Sequence, residues 1–253
     1  MILDNFKLDG KTAIVTGSGV GLGQGMALAL AEAGADIVGV GLTEMEETRN
    51  LVEKLGRRFV GVQANLMEMD AIPKVIDAAI SNFGKIDILV NNAGIIRRED
   101  AINFSEKDWD DVMDINVKMV FFLSQAVAKK FIEQNTGGKI INIASMLSFQ
   151  GGIRVPSYTA SKSGVMGITR LMANEWAKHN INVNAIAPGY MATDNTSALR
   201  QDESRSAEIL GRIPAGRWGL PDDLKGPVVF LASSAADYVN GYTIAVDGGW
   251  LAR

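Results

Sequence analysis

Short apolar runs rich in β-branched residues alternate along the chain with longer amphipathic stretches. The short runs predict seven strands, at 12–16, 36–40, 58–63, 86–92, 138–145, 181–188 and 242–248. The longer stretches predict helices at 21–33, 44–56, 69–83, 106–134 and 157–178, and Gly34 follows the first as a stop signal. This alternation indicates βαβ units with right-handed crossovers. It predicts an α/β fold with one doubly wound parallel sheet of about seven strands and helices on both faces.

The 253 residues contain no internal repeat, low-complexity tract or linker, so we expect one domain over 1–253. The least regular segment is 188–220, which is rich in Gly, Pro, Ser and charged residues and follows the sixth predicted strand. Long irregular connections of this kind often cover binding sites. We therefore expect 188–220 to form a short helical excursion over a ligand.

Composition argues against several classes of function. The formal net charge is −4 and there is no basic run, so neither nucleic acid nor a membrane surface is an expected partner. No apolar run approaches the roughly 20 residues of a membrane span, and the start, MILDNFKLDGK, does not resemble a signal peptide. The chain has no cysteine, and its one histidine, His179, cannot form a His-rich metal site. We therefore expect a cytoplasmic protein without a metal.

A glycine-rich turn follows the first predicted strand and opens the first helix. It reads TGSGVGLG and contains Gly17, Ser18, Gly21, Leu22 and Gly23. Glycine allows a sharp turn and a close approach to a pyrophosphate, and the helix N-terminus offers free N–H groups and the positive end of its dipole. Elsewhere a glycine run is often only a flexible turn. At the first crossover of a βαβ chain it indicates nucleotide binding in a Rossmann-type fold.

The residues after the second predicted strand bear on the choice of nucleotide. The sequence there is Gly41-Leu42-Thr43-Glu44, with no acid at the strand tip for the adenosine ribose and no cation for a 2′-phosphate. The next basic residue is Arg49. We therefore expect NAD, and not NADP, as the cofactor.

Tyr158 and Lys162 are four residues apart in a predicted helix, which places both side chains on one face. A Lys ammonium beside a phenol favours the phenolate, so it lowers the tyrosine pKa from about 10 and makes the phenol an acid/base near neutral pH. Ser145 ends the fifth predicted strand and can donate a hydrogen bond to the oxygen that Tyr158 serves. By itself this spacing is common, and a solvated lysine beside a half-buried tyrosine is the usual alternative.

Two asparagines are further candidates. Asn92 belongs to the run NNAG, with Ala93 and Gly94, at the end of the fourth predicted strand, where it either caps a turn or lies beside a cofactor crevice. Asn116 falls within a predicted helix, where its side chain competes for backbone hydrogen bonds. A residue that breaks a local rule near a site is a mild indication of function.

Together these elements resemble the short-chain dehydrogenase/reductase family over the whole chain. The matching pieces are TGSGVGLG, NNAG, Asn116, Ser145, Tyr158-x-x-x-Lys162 and Pro188-Gly189 with Thr193, and both their order and their spacing match. The resemblance implies a single Rossmann domain that transfers a hydride between a substrate and a nicotinamide cofactor.

The resemblance also implies roles for the matching residues. Tyr158 is the acid/base, and Lys162 lowers its pKa and holds the nicotinamide ribose. Ser145 orients the substrate oxygen, and Asn116 maintains a water relay behind Lys162. Further cofactor contacts are implied at Asn65, Leu66, Asn92, Ala93, Gly94, Pro188, Gly189 and Thr193. Asn65 stands where the family often has Asp beside the adenine, so the chain departs from the family pattern at the adenosine end and not at the reacting end.

Longer segments, among them IIRREDAI (95–102) and NGYTIAVDGGWLAR at the end, resemble the sugar-acid dehydrogenases of the family. They imply a sugar-acid substrate from uronate or pectin breakdown. Arg97, Arg98 and Arg154 follow predicted strands and so lie near the mouth where ligands bind. A guanidinium grips a carboxylate in bidentate fashion, and Arg154, four residues before Tyr158, is the best candidate. The alternative is that these arginines pair with surface acids such as Glu99 and Asp100.

Three functions stay open at this point. The first is an NAD-dependent sugar-acid dehydrogenase, the second is another ketone reductase such as gluconate 5-dehydrogenase or an acyl-carrier ketoreductase, and the third is a non-catalytic nucleotide-binding sensor. The presence of Ser145, Tyr158 and Lys162 favours an enzyme.

The long helices carry apolar residues that a single sheet face cannot easily cover. Together with the family resemblance, these residues predict a homotetramer. These residues include Val120, Phe121, Phe122, Val165, Met166 and Leu171.

Overall fold

The strands form one parallel sheet in the computed structural model, which describes residues 1–253. The seven strands are β1 (Thr12–Thr16), β2 (Asp36–Gly41), β3 (Phe59–Gln63), β4 (Ile88–Asn91), β5 (Gly138–Ile143), β6 (Ile181–Pro188) and β7 (Thr243–Val246). Their order is β3-β2-β1-β4-β5-β6-β7, and every neighbouring pair is parallel. The predicted fold class is confirmed, and each predicted strand overlaps an observed one.

Nine α-helices connect and follow the strands. They are α1 (Gly21–Glu32), α2 (Glu46–Lys54), α3 (Ala71–Phe83), α4 (Glu106–Met113), α5 (Met119–Gln134), α6 (Pro156–Trp176), α7 (Ser197–Gln201), α8 (Glu203–Arg212) and α9 (Lys225–Ala232). The helical region predicted over 106–134 is confirmed at both ends, and a π-helical turn over Asp114–Lys118 divides it into α4 and α5. None of the helices is long and apolar enough to cross a membrane.

The sheet is covered on both faces by apolar side chains. Within β1, Ala13 and Val15 pack with residues of α1, α2 and α9 on one face, whereas Ile14 packs with residues of α3, α5 and α6 on the other. Successive residues of a strand point to opposite faces, so a strand buried on both sides needs a continuous apolar run. All five residues of β1 are buried, and this explains why the short runs in the sequence do not alternate with polar residues.

The helix α9 has no counterpart in the sequence prediction. It is eight residues long and carries Gly226 and Pro227 in its first turn, so its periodicity is weak and its propensity poor. It forms because Val228 and Leu231 are buried against α1 and the sheet. Tertiary packing, and not local preference, determines this element.

The apolar residues on α5 and α6 do not all reach the surface. Val120 and Val165 are buried within the chain, so the prediction that they contribute to an exposed apolar stripe is wrong. Phe122 and Leu171 are exposed by 38% and 47%, as are Trp109 on α4 and Ile132 on α5 by 40% and 44%. These four residues are the apolar surface that the helices leave uncovered.

The direction in which successive strands are added to the sheet reverses beside β1. From β1 the chain moves outward to β2 and β3, and then returns to place β4 on the other side of β1. Ligands of open α/β sheets bind in the crevice at such a switch point, beyond the carboxyl ends of the strands. The loops after β1, β4, β5 and β6 meet at this edge.

Candidate active site and cofactor cleft

A large cavity lies at the carboxyl edge of the sheet. It has a volume of about 1020 Å³ and is lined by residues that follow β1, β4, β5 and β6 and by residues of α8. Most of the predicted site residues lie in its wall, namely Gly17, Gly21, Leu22, Gly23, Asn92, Ala93, Gly94, Arg98, Ser145, Arg154, Tyr158, Lys162, Gly189 and Thr193. The strand ends therefore bring together residues from most of the length of the chain.

The glycine-rich turn has the geometry that a pyrophosphate requires. Gly17 and Gly21 have positive φ angles of 66° and 59°, where a side chain is strained. A Cβ atom on Gly23 would collide with the carbonyl oxygen of Gly17, so α1 packs directly on the turn. No side chain caps the first turn of α1, which leaves its N–H groups available to an anion. The turn therefore fits the diphosphate of a dinucleotide.

The NNAG segment is attached to the end of β1. The Thr16 hydroxyl accepts the backbone N–H groups of Asn92 and Ala93, both at 2.9 Å, and the Asn92 amide donates to the Thr16 carbonyl at 2.9 Å. These bonds hold the turn after β4 against the glycine turn after β1. The two loops thus form opposite sides of one cleft.

Four residues predicted to bind cofactor do not line the cavity. Ser18 is fully buried, and its hydroxyl contacts the Met45 sulfur at 3.2 Å. Leu66 is a core residue, and the Asn65 side chain bonds the Met67 N–H at 3.1 Å and the Glu68 carboxylate at 2.8 Å. Pro188 is the buried last residue of β6. Their roles toward a cofactor stay predictions, whereas Gly189 and Thr193 lie in the cavity wall.

Ser145 and Tyr158 face each other across the base of the cavity. Ser145 is in an extended conformation two residues beyond β5, and its hydroxyl accepts the Leu147 N–H at 3.2 Å. Burial of the Tyr158 phenol raises its pKa, while a hydrogen bond with Ser145 and the charge of Arg98 act in the opposite direction. The sequence-based expectation of a lowered pKa is therefore wrong for the chain by itself, because desolvation outweighs these two effects.

Lys162 is buried below Tyr158. Its Nζ lies 5.6 Å from the centre of the tyrosine ring and donates to the Ile143 carbonyl at 2.6 Å. Burial lowers the pKa of Lys162 to about 8. A lysine with this pKa still carries a proton at neutral pH, and it is available as a donor at the floor of the cleft.

Asn116 occupies the π-helical turn between α4 and α5. Its Oδ1 accepts the Ile95 N–H at 2.9 Å, and its Nδ2 donates to the Ile95 carbonyl at 3.0 Å and to the Ser161 hydroxyl at 3.1 Å. A π-turn inside a helix frequently marks a functional position. The π-helical turn thus explains why an asparagine, which is unfavourable inside a regular α-helix, occurs at this position. Its side chain connects the start of α5 to the loop after NNAG and to α6.

Ser148 is a site residue that the sequence prediction missed. Its hydroxyl accepts the Ser145 N–H at 3.3 Å and donates to the Lys162 carbonyl at 2.6 Å. The side chain is buried and bridges the loop of Ser145 to the helix of Lys162. The spacing of Ser145 and Ser148, three residues apart as in a capping box, was the available signal.

The three candidate arginines have different partners. Arg97 pairs with Asp108 at 3.3 Å and Asp111 at 3.5 Å. Arg154 has a positive φ of 62° and pairs with Asp100 at 3.0 Å and Glu99 at 3.8 Å, as the alternative interpretation held. Arg98 forms no ion pair; it donates to the Asn195 carbonyl at 3.3 Å and lines the cavity. The structure therefore favours Arg98 over Arg154 as a free cation.

The comparisons with known proteins agree with this geometry. The family model described as Enoyl-(Acyl carrier protein) reductase matches residues 17–251. The chain is 75% identical over 253 residues to the 2-dehydro-3-deoxy-D-gluconate 5-dehydrogenase of Escherichia coli, with full coverage of both. It is 71% identical, again with full coverage, to the protein of that name from Dickeya dadantii.

Solved structures give the same result. The fold superposes with a TM-score of 0.91 on an Agrobacterium tumefaciens protein described as a 2-deoxy-D-gluconate 3-dehydrogenase with bound NADP, at 53% identity over 98% of this chain and 99% of that one. Family model, curated relatives and solved structure all span nearly the whole chain. The protein is thus an oxidoreductase that uses a nicotinamide cofactor, and it belongs to the short-chain dehydrogenase/reductase family.

Proposed function

We propose that the protein oxidises the C5 hydroxyl of 2-dehydro-3-deoxy-D-gluconate, or reduces the corresponding ketone, with NAD(H) as cofactor, in the breakdown of uronates or pectin. The observation that carries this proposal is the full-length identity of 75% to a relative of that name. The cavity supports it, because it offers an acid/base, a hydroxyl donor and unpaired arginines to a small anionic substrate. We place the enzyme in the cytoplasm, in keeping with a chain that has no cysteine.

The chemistry at the reacting end rests on Tyr158 and Ser145. When bound, the nicotinamide supplies the acceptor or donor of the hydride. Tyr158 then takes the proton of the substrate hydroxyl during oxidation and returns it to the carbonyl oxygen during reduction. Ser145 donates its hydrogen bond to the same substrate oxygen, since its own hydroxyl is oriented by the Leu147 N–H.

Lys162 and Asn116 support this proton transfer from below. Lys162 has a pKa of about 8, so its ammonium is able to hold a ribose hydroxyl and stabilise the Tyr158 phenolate. Asn116 accepts and donates at Ile95, on the loop that also carries Gly94. We propose that the proton of Tyr158 passes by way of Lys162 to a water relay that Asn116 maintains.

We propose that NAD(H) is preferred, although the Agrobacterium relative was solved with NADP. Leu42 is exposed by 68% at the end of β2, and Glu44 follows it, so a 2′-phosphate would meet no cation there. Arg49 does not point to this position, because its guanidinium donates to the Phe59 carbonyl at 3.3 Å and lies over the Phe59 ring.

A comparison of kcat/KM for NAD and NADP tests the proposed cofactor preference. Leu42→Arg should raise kcat/KM for NADP about tenfold, and a wild-type preference for NADP would reject the proposal.

Arg98 is the arginine that we place at the substrate. Its charge favours the Tyr158 phenolate, and its bond to the Asn195 carbonyl connects the loop after β4 to the segment after β6. Arg154 is neutralised by Asp100 and Glu99 and orders the loop that it occupies. The 188–220 excursion, which contains α7 and α8, then covers the substrate.

The exposed apolar residues on α4, α5 and α6 support a homotetramer. Phe122, Trp109, Ile132 and Leu171 together leave apolar surface on the helices at the back of the sheet. Soluble oligomers favour dimers and tetramers of dihedral symmetry. Light scattering should give four times the chain mass of 27.1 kDa, and a species of 27.1 kDa alone at micromolar concentration would reject the assembly.

Initial rates test the proposed activity. The purified enzyme is mixed with NAD and 2-dehydro-3-deoxy-D-gluconate, D-gluconate or a neutral sugar alcohol, and NADH is followed by its absorbance. We expect the deoxy keto acid to have the highest kcat/KM. A higher value for D-gluconate would assign the chain to gluconate 5-dehydrogenase activity, and no reduction of NAD or NADP with any sugar acid would reject the proposal.

A further inference from the structure

Four arginines line the cavity, and only two of them form ion pairs with carboxylates. Arg154 pairs with Asp100 at 3.0 Å and Arg205 pairs with Glu208 at 2.7 Å, whereas Arg98 and Arg212 form no ion pair. The only other carboxylate in the lining is that of Asp194, and Lys162 adds a further cation. The cavity therefore has a surplus of positive charge that comes from identifiable side chains, in a protein whose formal net charge is −4.

Arg212 is held in place by contacts other than an ion pair with a carboxylate. It is the last residue of α8, where a cation is favoured by the negative end of the helix dipole. Its guanidinium carbon lies 4.0 Å from the centre of the Trp250 ring, and one of its N–H groups donates to the Gln150 side chain at 3.3 Å. An arginine that stacks on a ring keeps the N–H groups at its edge available for a ligand.

The partners of Arg212 belong to a fixed part of the structure. Trp250 is buried in a cluster with Met146, Ile209 and Ile213. Gln150 belongs to the segment after β5 that also carries Ser145. The stacking on Trp250 thus orients the guanidinium, as a carboxylate site requires, and the contact with Gln150 connects it to the segment that carries Ser145.

Arg98 and Arg212 lie on different elements of the cavity wall and have different neighbours. Arg98 follows β4, and its charge acts on Tyr158. Arg212 is on α8 and contacts Trp250 and Gln150, so it belongs to the wall formed by the 188–220 excursion. A sugar acid whose reacting carbon lies against Tyr158 and Ser145 needs a cation elsewhere in the cavity for its carboxylate.

We propose that Arg212 receives the carboxylate of the sugar acid and determines the preference for acids over neutral polyols. This assignment rests on the proposed function, because it requires a substrate with a carboxylate distant from the reacting carbon. Binding of the acid then connects α8 to the reacting end through the substrate, so the wall and the chemistry are coupled only when the charged group is present.

The test compares the acid with its methyl ester. The ester keeps the carbon chain and the reacting hydroxyl but removes the charge. In the wild type we measure kcat/KM for 2-dehydro-3-deoxy-D-gluconate and for its methyl ester. In Arg212→Met, whose side chain still covers Trp250, the value for the acid should fall by roughly 10- to 100-fold, mainly through KM, while the ester changes less than about threefold. Arg212→Lys should recover part of the loss.

A matched control removes charges from the same helix without changing the net charge. The double variant Arg205→Met/Glu208→Gln should keep the wild-type ratio of acid to ester, and NAD affinity should be unchanged in every variant. If acid and ester lose equally in Arg212→Met, or if neither loses, the assignment is overturned and the proposed function is not. Failure of the wild-type enzyme to turn over the acid would overturn the proposed function and this assignment with it.

Discussion

The two walls of the cavity differ in how they are held. The wall with Ser145 and Lys162 is buried, with Asn116 buried behind it, and these side chains and that of Ser148 bond to backbone groups of β5, α6 and the segments beside them. The wall formed by α7 and α8 is largely exposed, and its side-chain bonds are mostly local, such as Arg205 to Glu208 and the Asp202 cap on the Arg205 N–H. The first wall is held by buried contacts with the central sheet and its helices, whereas the second wall is held mainly by contacts within its own segment.

Under the proposed function, this difference separates two roles of one cavity. Proton and hydride transfer depend on distances that must be kept to a fraction of an ångström, so the groups that perform them are placed on buried elements. Substrate selection uses side chains on elements of lower local stability, which ligand-binding loops generally have. Changes in the buried wall should therefore lower kcat, and changes in the α8 wall should raise KM.

The largest expected effect is at Tyr158. Tyr158→Phe removes the proton donor and keeps the ring, so kcat should fall at least about a hundredfold, as is usual for loss of a general acid/base. Stopped-flow or steady-state NADH absorbance measures it. Tyr190→Phe is the control, because Tyr190 is another tyrosine that lines the cavity and should keep kcat within about twofold, a change below about 0.5 kcal/mol. Near wild-type turnover by a folded Tyr158→Phe enzyme would exclude Tyr158 as the acid/base.

Arg98 should influence the pH dependence of turnover. Its positive charge lowers the pKa of Tyr158, against the effect of burial, so Arg98→Met should move the pKa of Tyr158 upward. Alcohol oxidation needs the phenolate, and its rise with pH should therefore occur at higher pH in this variant, with roughly a tenfold loss of kcat/KM at neutral pH. Arg154→Met should leave the profile in place because Asp100 and Glu99 already neutralise Arg154. A profile that moves in Arg154→Met and not in Arg98→Met would reverse the assignment.

The smallest expected effect is on stability, at Lys162. Its pKa falls from 10.5 unfolded to about 8 folded, so its burial as a cation is a cost below pH 8 that disappears as the pH rises to 10.5. Lys162→Met should be inactive yet more stable at pH 7 by roughly 1 kcal/mol, after loss of the bond to the Ile143 carbonyl, or about 2–4 °C in Tm. Calorimetry of both proteins from pH 7 to 10 should show this difference shrinking. A variant that is less stable at pH 7 would show that the hydrogen bond outweighs desolvation.

Local patterns predicted the sheet, because β-branched runs are local signals. The Tyr-x-x-x-Lys spacing is common by itself, and the family resemblance supplied the roles proposed for Ser145, Tyr158 and Lys162. Local patterns did not predict α9, whose helix depends on the burial of Val228 and Leu231. Nor did they decide the partners of Arg154, since its pairing with Asp100 depends on a loop with a positive φ that packs against another loop. Arg212 and Ser148 were missed for the same reason, because their roles arise from contacts between distant segments.

Isotope transfer tests the central claim most directly. The enzyme is given NAD and 2-dehydro-3-deoxy-D-gluconate that carries deuterium at C5, and the reduced cofactor is analysed by mass spectrometry. We predict that deuterium appears in the reduced NAD in proportion to turnover, and that no transfer above background occurs in Tyr158→Phe over the same interval. Turnover that gives unlabelled NADH, or deuterium transfer at the wild-type rate in Tyr158→Phe, would contradict a C5 oxidation that depends on Tyr158.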